Sequence, residues 1–135
     1  MKIIRINHLG IVPKDPNLAL SFFHDILGLK HIGEETVKDQ LVHVDFLQCE
    51  NSRLEFLVPT QSDSPIAKFL ETRGSGIHHI ALEVDSVDEW LIHLKKNNIQ
   101  LIDEQPRLGA HNTKIIFIHP RATGGILVEL VEESK

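Results

Sequence analysis

Two stretches of the chain repeat the same order of hydrophobic and polar patterns. Residues 3–13 and 77–84 are apolar runs that predict β-strands. Each run is followed by a segment with apolar residues at helical spacing, at 16–27 in the first half and after Ser86 in the second. Three extended runs then follow each helix, at about 29–37, 40–49 and 53–58, and at about 99–105, 113–119 and 125–132. The pattern therefore predicts two tandem β-α-β-β-β modules.

Matching intervals in the two halves support an internal repeat. The interval from His8 to Phe46 equals the interval from His79 to Phe117. Between the halves lies a segment with turn residues at both ends and an apolar helical patch in its middle. We therefore expect a single domain with module one at about 3–59, a linker helix at about 60–75 and module two at about 76–132.

Each module alone would leave one face of its sheet uncovered. Joining the two sheets would bury that surface, with the helices outside. The predicted fold class is therefore α+β, in which the two modules form a curved mixed sheet around a cleft. Residues at matching positions of the two modules would then meet across the cleft.

Paired histidines and glutamates are the candidate chemistry. His8 and His79 occupy matching positions in the first strands, and Glu55 and Glu129 lie in the last strands within an apolar-Glu-apolar-apolar core. Burial of an unpaired, ionised carboxylate costs roughly several kcal/mol. The cost is smaller when the carboxyl group is paired with a cation, protonated or bound to a metal. Imidazole nitrogen and carboxylate oxygen together suit Zn, Mn, Fe, Co or Ni. The pattern indicates a divalent metal site in the cleft.

Each of these residues also has a simpler interpretation. A single strand histidine among apolar residues is more often a hydrogen-bonded core residue, and a glutamate in a final strand often faces solvent. Because all four residues occupy matching positions of the repeat, the sequence supports a metal site as well as it supports these simpler interpretations. Of the adjacent pair His78 and His79, only one can face the cleft, because successive strand residues point to opposite faces. The repeat selects His79.

Composition and charge narrow the function classes. The 135 residues carry 14 Lys+Arg against 19 Asp+Glu, a formal charge of −5, which disfavours a nucleic-acid surface. One cysteine, Cys49, cannot form an internal disulfide. The N-terminal apolar run is interrupted by polar residues, and no later stretch approaches the ~20 apolar residues of a membrane span. We expect a cytoplasmic protein without nucleic-acid or membrane partners.

Four stretches of sequence carry a family resemblance. They are NHLGIV at 7–12, DSPIAKFLETRGSGIHHIALEVD at 63–85, LIDEQPRLGAH at 101–111 and KIIFIHPRATGGILVEL at 114–130. With the paired modules, they identify the chain as similar to the vicinal oxygen chelate superfamily, which includes glyoxalases, bleomycin resistance proteins and dioxygenases. Within it, the chain most resembles the methylmalonyl-CoA epimerases.

The resemblance implies one divalent metal ion per chain. Cobalt is the metal it favours, with zinc, manganese or nickel as substitutes, and the matching ligand positions are His8, Glu55, His79 and Glu129. The implied reaction is epimerisation of methylmalonyl-CoA, an acyl-CoA thioester, through a metal-stabilised enolate. The resemblance also implies a homodimer.

The acid and base of this reaction are not equally well defined. Some epimerases of this type carry a second glutamate at the position of Val44, so a symmetric two-glutamate mechanism does not transfer to this chain. Glu129 is then the catalytic candidate, and Gln40 and His111 are candidates for substrate contact. A bound water or His111 is an alternative to Glu129 as the proton carrier.

Two other functions fit the same fold. A glyoxalase I-like lactoylglutathione lyase would use the same metal and related chemistry on a hemithioacetal, and fold and ligands alone do not separate it from an epimerase. A non-catalytic small-molecule-binding protein is the third hypothesis, and it would need no metal. A dioxygenase is disfavoured, because its usual ligand set is two histidines and one carboxylate.

Overall fold

Eight strands and three α-helices lie within the described residues. The computed structural model describes residues 1–134. The strands are β1 (Ile3–Val12), β2 (Lys30–Val37), β3 (Val42–Cys49), β4 (Ser52–Pro59), β5 (Gly76–Val84), β6 (Arg107–Leu108), β7 (Lys114–Ile118) and β8 (Val128–Glu132). The helices are α1 (Pro16–Leu20), α2 (Pro65–Arg73) and α3 (Val87–Lys96). The α+β class and the two successive β-α-β-β-β modules are confirmed.

The chain forms two compact units. The first unit comprises His8–His78, and the second comprises Met1–Asn7 together with the residues from His79 onward. The first residues of β1 thus belong with the C-terminal half of the chain.

In the first unit the strand order is β2-β3-β4-β1. Strand β3 runs antiparallel to β2 and β4, and β4 runs parallel to β1. Helix α1 begins at Pro16, and the Asp15 side chain accepts the backbone N–H of Leu18. It continues as a π-helical segment over Ser21–Ile26, where the sequence predicts one regular helix to residue 27. Helix α2 lies within the predicted linker segment.

In the second unit the strand order is β5-β8-β7-β6. Strand β5 runs parallel to β8, and β7 runs antiparallel to β8 and β6. Ser86 caps helix α3 by accepting the backbone N–H of Glu89. This helix packs on one face of the sheet, where it forms a core from Val84, Val87, Leu91, Ile116, Ile118 and Leu130.

The extended run predicted at 99–105 is mostly not a strand. Only Leu101 bridges β7, at Ile118, and regular pairing resumes in the two-residue strand β6. The carboxylate of Asp103 accepts the Phe117 N–H at 2.8 Å, in place of a backbone carbonyl. Pro106 has no N–H to donate to a ladder. The side chain thus replaces a strand hydrogen bond at this point.

No helix within residues 1–134 is both long and apolar enough to span a membrane.

Candidate functional site

The second unit holds a buried histidine–carboxylate pair. Ala81 on β5 lies opposite Glu129 on β8, and His79 is two residues before Ala81 on the same face of its strand. The His79 Nε2 atom lies 2.9 Å from the Glu129 Oε1 atom. The two side chains are 5% and 7% exposed. Sheet register therefore brings together two side chains that lie fifty positions apart in the sequence.

Apolar side chains border this pair. A buried cluster of Ala81, Ile115, Phe117 and Val131 is joined by the partly buried Leu127. Alternation along β8 places Leu127 and Val131 on the face of Glu129, as the sequence predicts. The Phe117 ring meets the His79 ring edge-on, with centroids 5.6 Å apart. Little of the Glu129 carboxylate is open to solvent, and a buried carboxylate needs polar or charged partners.

The first unit repeats this arrangement. Gly10 on β1 lies opposite Glu55 on β4, and Phe46 on β3 is the other neighbour of Glu55. The His8 Nδ1 atom lies 3.2 Å from the Glu55 Oε2 atom, and the two side chains are 6% and 5% exposed. The two units therefore share one arrangement. A small residue of the first strand lies opposite the glutamate of the last strand, and the histidine two residues before that small residue contacts the glutamate.

An arginine that the repeat does not mark joins the pair of the first unit. The Arg53 Nε donates to Glu55 Oε2 at 3.2 Å, and its guanidinium lies 5.9 Å from the centroid of the Phe46 ring. The Arg53 side chain is 16% exposed. One oxygen of Glu55 is therefore shared between His8 and a permanent positive charge. The signal was present in the sequence, because Arg53 is two residues before Glu55 and so points to the same face.

The pair of the second unit has a different set of neighbours. Arg107 lies over the Phe117 ring at 5.6 Å, but its Nε faces Asp103 at 3.3 Å. Asp103 also accepts the Phe117 N–H. The cation beside Phe117 is thus paired with a loop carboxylate, whereas the cation beside Phe46 is paired with Glu55.

The donor atoms of the two pairs suit a borderline divalent metal. Each unit supplies one imidazole nitrogen and one carboxylate oxygen at hydrogen-bond distance, in surroundings with few exposed atoms. Zinc, cobalt, manganese and nickel bind such nitrogen and oxygen ligands, and neither pair includes a thiolate that would favour a soft metal. The chemistry of the donors therefore fits the metal that the sequence implies.

The three remaining positions singled out by the sequence lie in turns or in the core. Gln40 ends a 3₁₀ turn in the first unit and is half-buried. His111 lies in a 3₁₀ turn of the second unit, is exposed, and has a left-handed backbone with φ 58°. Val44 is 2% exposed. Alternation along β3 places it on the same face as Phe46, and Phe46 is the residue that lies opposite Glu55. The apolar side chain of Val44 thus lies on the face that Phe46 shares with Glu55.

Two modules of this kind, each with a buried histidine–glutamate pair whose donor atoms could bind a metal, define a class of small α+β proteins. Residues 7–117 match the Glyoxalase/Bleomycin resistance protein/Dioxygenase superfamily. The chain belongs to this superfamily.

Named relatives cover nearly the whole chain. The human protein named "Methylmalonyl-CoA epimerase, mitochondrial" is 39% identical over 93% of this chain and 72% of its own length. The protein YqjC of Bacillus subtilis (strain 168), named as uncharacterized, is 44% identical over 95% of this chain and 91% of its own. These relatives confirm the predicted resemblance to methylmalonyl-CoA epimerases, and with it an enzyme of the isomerase type.

Solved structures show the same similarity. The crystal structure of methylmalonyl-CoA epimerase from Mycobacterium tuberculosis has a TM-score of 0.94 and 34% identity, covering 98% of this chain and 90% of that one. A methylmalonyl-CoA epimerase in complex with methylmalonyl-CoA and NH4+ has a TM-score of 0.91 and 29% identity, covering 98% and 96%.

Proposed function

We propose that this protein epimerises methylmalonyl-CoA at the carbon between the thioester and the carboxylate. The observation that carries the proposal is the buried contact between His79 and Glu129, repeated in the other unit by His8 and Glu55. The named relatives support the substrate class, and the solved structure with methylmalonyl-CoA supports a CoA thioester.

We further propose that His8, Glu55, His79 and Glu129 bind one divalent metal ion. The repeat supports this set, because each member has a counterpart of the same chemical type in the other unit. When bound, a divalent cation would supply positive charge that favours the enolate of the substrate over its neutral thioester form. Cobalt is the proposed metal, and zinc, manganese or nickel are its proposed substitutes.

Glu129 is the proposed proton carrier. Its carboxylate accepts the α-proton from the carbon between the two carbonyl groups and can return it to the same atom. Inversion also requires a proton on the opposite face, and Val44 has no group that could supply one. His111 or an ordered water is the proposed source of that second proton.

The neighbours of Glu129 prepare it for this role. His79 fixes the orientation of the carboxylate through the 2.9 Å contact, and Phe117 fixes the imidazole in turn. The apolar cluster beside the pair and the 7% exposure of the Glu129 side chain limit the contact of this carboxylate with bulk water. Gln40 is the proposed polar contact for the substrate in the first unit.

Assembly and location are also part of the proposal. The superfamily resemblance supports a homodimer, and two-fold dimers are the commonest assembly of soluble proteins. Sedimentation equilibrium at micromolar concentration tests the dimer, and a mass of only 15.3 kDa would contradict it. A cytoplasmic location stays a prediction.

The activity is tested by exchange of the α-proton in deuterated solvent. Purified protein loaded with cobalt is expected to introduce deuterium into methylmalonyl-CoA and to interconvert its epimers. An assay of lactoylglutathione formation, run with the same preparation, is expected to show no turnover. Turnover of the glutathione adduct without exchange on methylmalonyl-CoA would instead identify a glyoxalase-type lyase. Tight binding of the thioester with neither reaction would identify a binding protein.

A further inference from the structure

We propose that His31, Glu34 and Asp45 form a second binding site for a divalent first-row transition ion, on the β2–β3 hairpin of the first unit. None of these residues belongs to the ligand set proposed above.

Strand register places the two carboxylates side by side. Glu34 on β2 lies directly opposite Asp45 on β3, so both side chains leave the same face of the hairpin. Two carboxylates at such a position repel each other unless a cation or a proton lies between them.

A β-bulge adds the imidazole to that face. Simple alternation from Glu34 would point His31 to the opposite face of β2. The register shifts between His31 and Gly33, so that Gly33 pairs with Phe46 while His31 pairs with Leu47. Leu47 is two residues from Asp45 and shares its face, and His31 therefore joins the carboxylates. The bulge uses a glycine at φ 143°, which other residues rarely adopt.

The donor atoms are close enough to share one ion. The His31 Nε2 lies 3.1 Å from the Asp45 Oδ1. One ligand atom from each of the three residues lies within 4.8 Å of the other two. Ligands about 2.0–2.2 Å from a tetrahedral ion are separated by roughly 3.3–3.6 Å, so small side-chain rotations suffice.

The burial and the charges of these side chains favour a bound metal ion over a solvent-exposed salt bridge. The Asp45 side chain is 8% exposed, and its neighbour across the β3–β4 pair is Phe56. The His31 side chain is 29% exposed, and that of Glu34 is 62% exposed, so an ion has access from solvent. The His43 Nε2 lies 3.8 Å from Glu34 Oε1 and helps to hold it over the hairpin. One nitrogen and two oxygen ligands suit zinc, cobalt, manganese or nickel.

A bound ion would link β2 to β3. Strand β2 is the last strand at one end of the order β2-β3-β4-β1. The expected consequence is a metal-dependent rise in the thermal unfolding midpoint. This effect does not depend on catalysis.

The experiment is a cobalt titration by equilibrium dialysis on the full chain, with wild type beside Glu34→Gln, His31→Gln and the control Glu35→Gln. Glu35 has the same charge on the same strand but points to the other face. We expect Glu34→Gln and His31→Gln each to lose one bound ion per chain, or at least tenfold in the affinity of that ion. Glu35→Gln is expected to match wild type. Equal cobalt binding by all four proteins would overturn the proposal, and so would an equal loss in the control.

Manganese relaxation in NMR spectra separates this site from the proposed catalytic one. Sub-stoichiometric Mn²⁺ is expected to broaden the amide signals around His31 and Asp45 in wild type, and equally in His79→Ala. Broadening around His79 alone would overturn the second site and leave the proposed function intact. Broadening around His31 alone would support the second site and count against the proposed catalytic metal.

Discussion

Phe117 and Glu129 lie directly opposite each other on strands β7 and β8. The ring of Phe117 also meets His79 edge-on, so one aromatic side chain borders both members of the buried pair. The counterpart in the first unit is Phe46 opposite Glu55. The equal His-to-Phe intervals in the sequence therefore correspond to the same strand register in the two units.

Replacing His79 by alanine is expected to weaken the proposed metal site. Removing a ligand should cost at least an order of magnitude in cobalt affinity, since even groups that only orient ligands cost 10–100-fold. His78→Ala is the matched control, because that neighbouring imidazole packs against Phe69 instead, with ring centroids 5.0 Å apart. Isothermal titration with cobalt measures both. Unchanged metal affinity and occupancy in a His8→Ala/His79→Ala double variant would refute the ligand assignment.

Arg53 is expected to stabilise the first unit through Glu55. Without the guanidinium, the Glu55 carboxylate, which is 5% exposed, keeps only its contact with His8 among residues 1–134. Arg53→Met should lower the free energy of unfolding by about 1.5–3 kcal/mol, the range for hydrogen bonds to charged groups. Urea denaturation in the presence of a chelator measures this loss, with Arg73→Met on exposed α2 surface as control.

A double-mutant cycle isolates the contact between the two side chains. If the ion pair carries the effect, Arg53→Met should cost little once Glu55→Gln has removed the charge. An equal cost of Arg53→Met in both backgrounds would show that the effect does not come from the contact with Glu55.

Much of the fold follows from patterns that a sequence displays directly. Apolar runs and helical spacing predict β1, β3, β4, α3 and β5 close to their observed bounds, because burial of one face imposes a period of two or 3.6. The segment at 99–105 is different. There the side chain of Asp103, and not a backbone carbonyl, accepts the N–H of Phe117. The spacing of hydrophobic residues does not reveal such a replacement.

The candidate site divides in the same way. The two histidine–glutamate pairs are predictable, because repetition singles out their members. The contact of Arg53 follows from simple alternation along β4, although no repeat marks it. The His31 cluster was not predictable, because a β-bulge reverses the face on which His31 lies, and a shift of register is not visible in the residue types.

Asp85 is expected to make stability depend on pH in the acid range. Its carboxylate accepts the backbone N–H of Lys2 at 2.9 Å, and this hydrogen bond, with the nearby N-terminal ammonium, lowers the pKa of Asp85. A lowered pKa in the folded state contributes stability above the unfolded pKa of about 3.9, and this contribution is lost as the pH falls through the folded value.

The variant Asp85→Asn tests that dependence. At pH 7 it should unfold at lower denaturant concentration than wild type, and the difference should shrink towards zero as the pH falls below about 4. Asp63→Asn, a change in an exposed loop, serves as the control. A difference between wild type and Asp85→Asn that stays constant from pH 7 to pH 3 would assign the effect to something other than the charge.

Glu129 distinguishes catalysis from metal binding alone. If it is only a ligand, Glu129→Gln should bind cobalt more weakly and recover activity when cobalt is supplied in excess. If it also carries the proton, the cobalt-saturated variant should remain slower by roughly 10²-fold or more, the range for a lost acid or base. We expect the second result, because Val44 removes the other carboxylate and His79 holds Glu129 in a fixed orientation at 2.9 Å.

The decisive measurement is exchange of the α-proton of methylmalonyl-CoA with deuterated solvent, catalysed by the cobalt-saturated Glu129→Gln protein. Glu55→Gln, measured in the same way, is the control, since it removes the equivalent carboxylate from the other unit. Exchange that stays slow in Glu129→Gln but recovers with cobalt in Glu55→Gln would assign proton transfer to Glu129. Exchange at the wild-type rate in both variants would leave the two glutamates as ligands only. It would move the proton transfer to a water or to His111, which the exchange rate of His111→Ala would then decide.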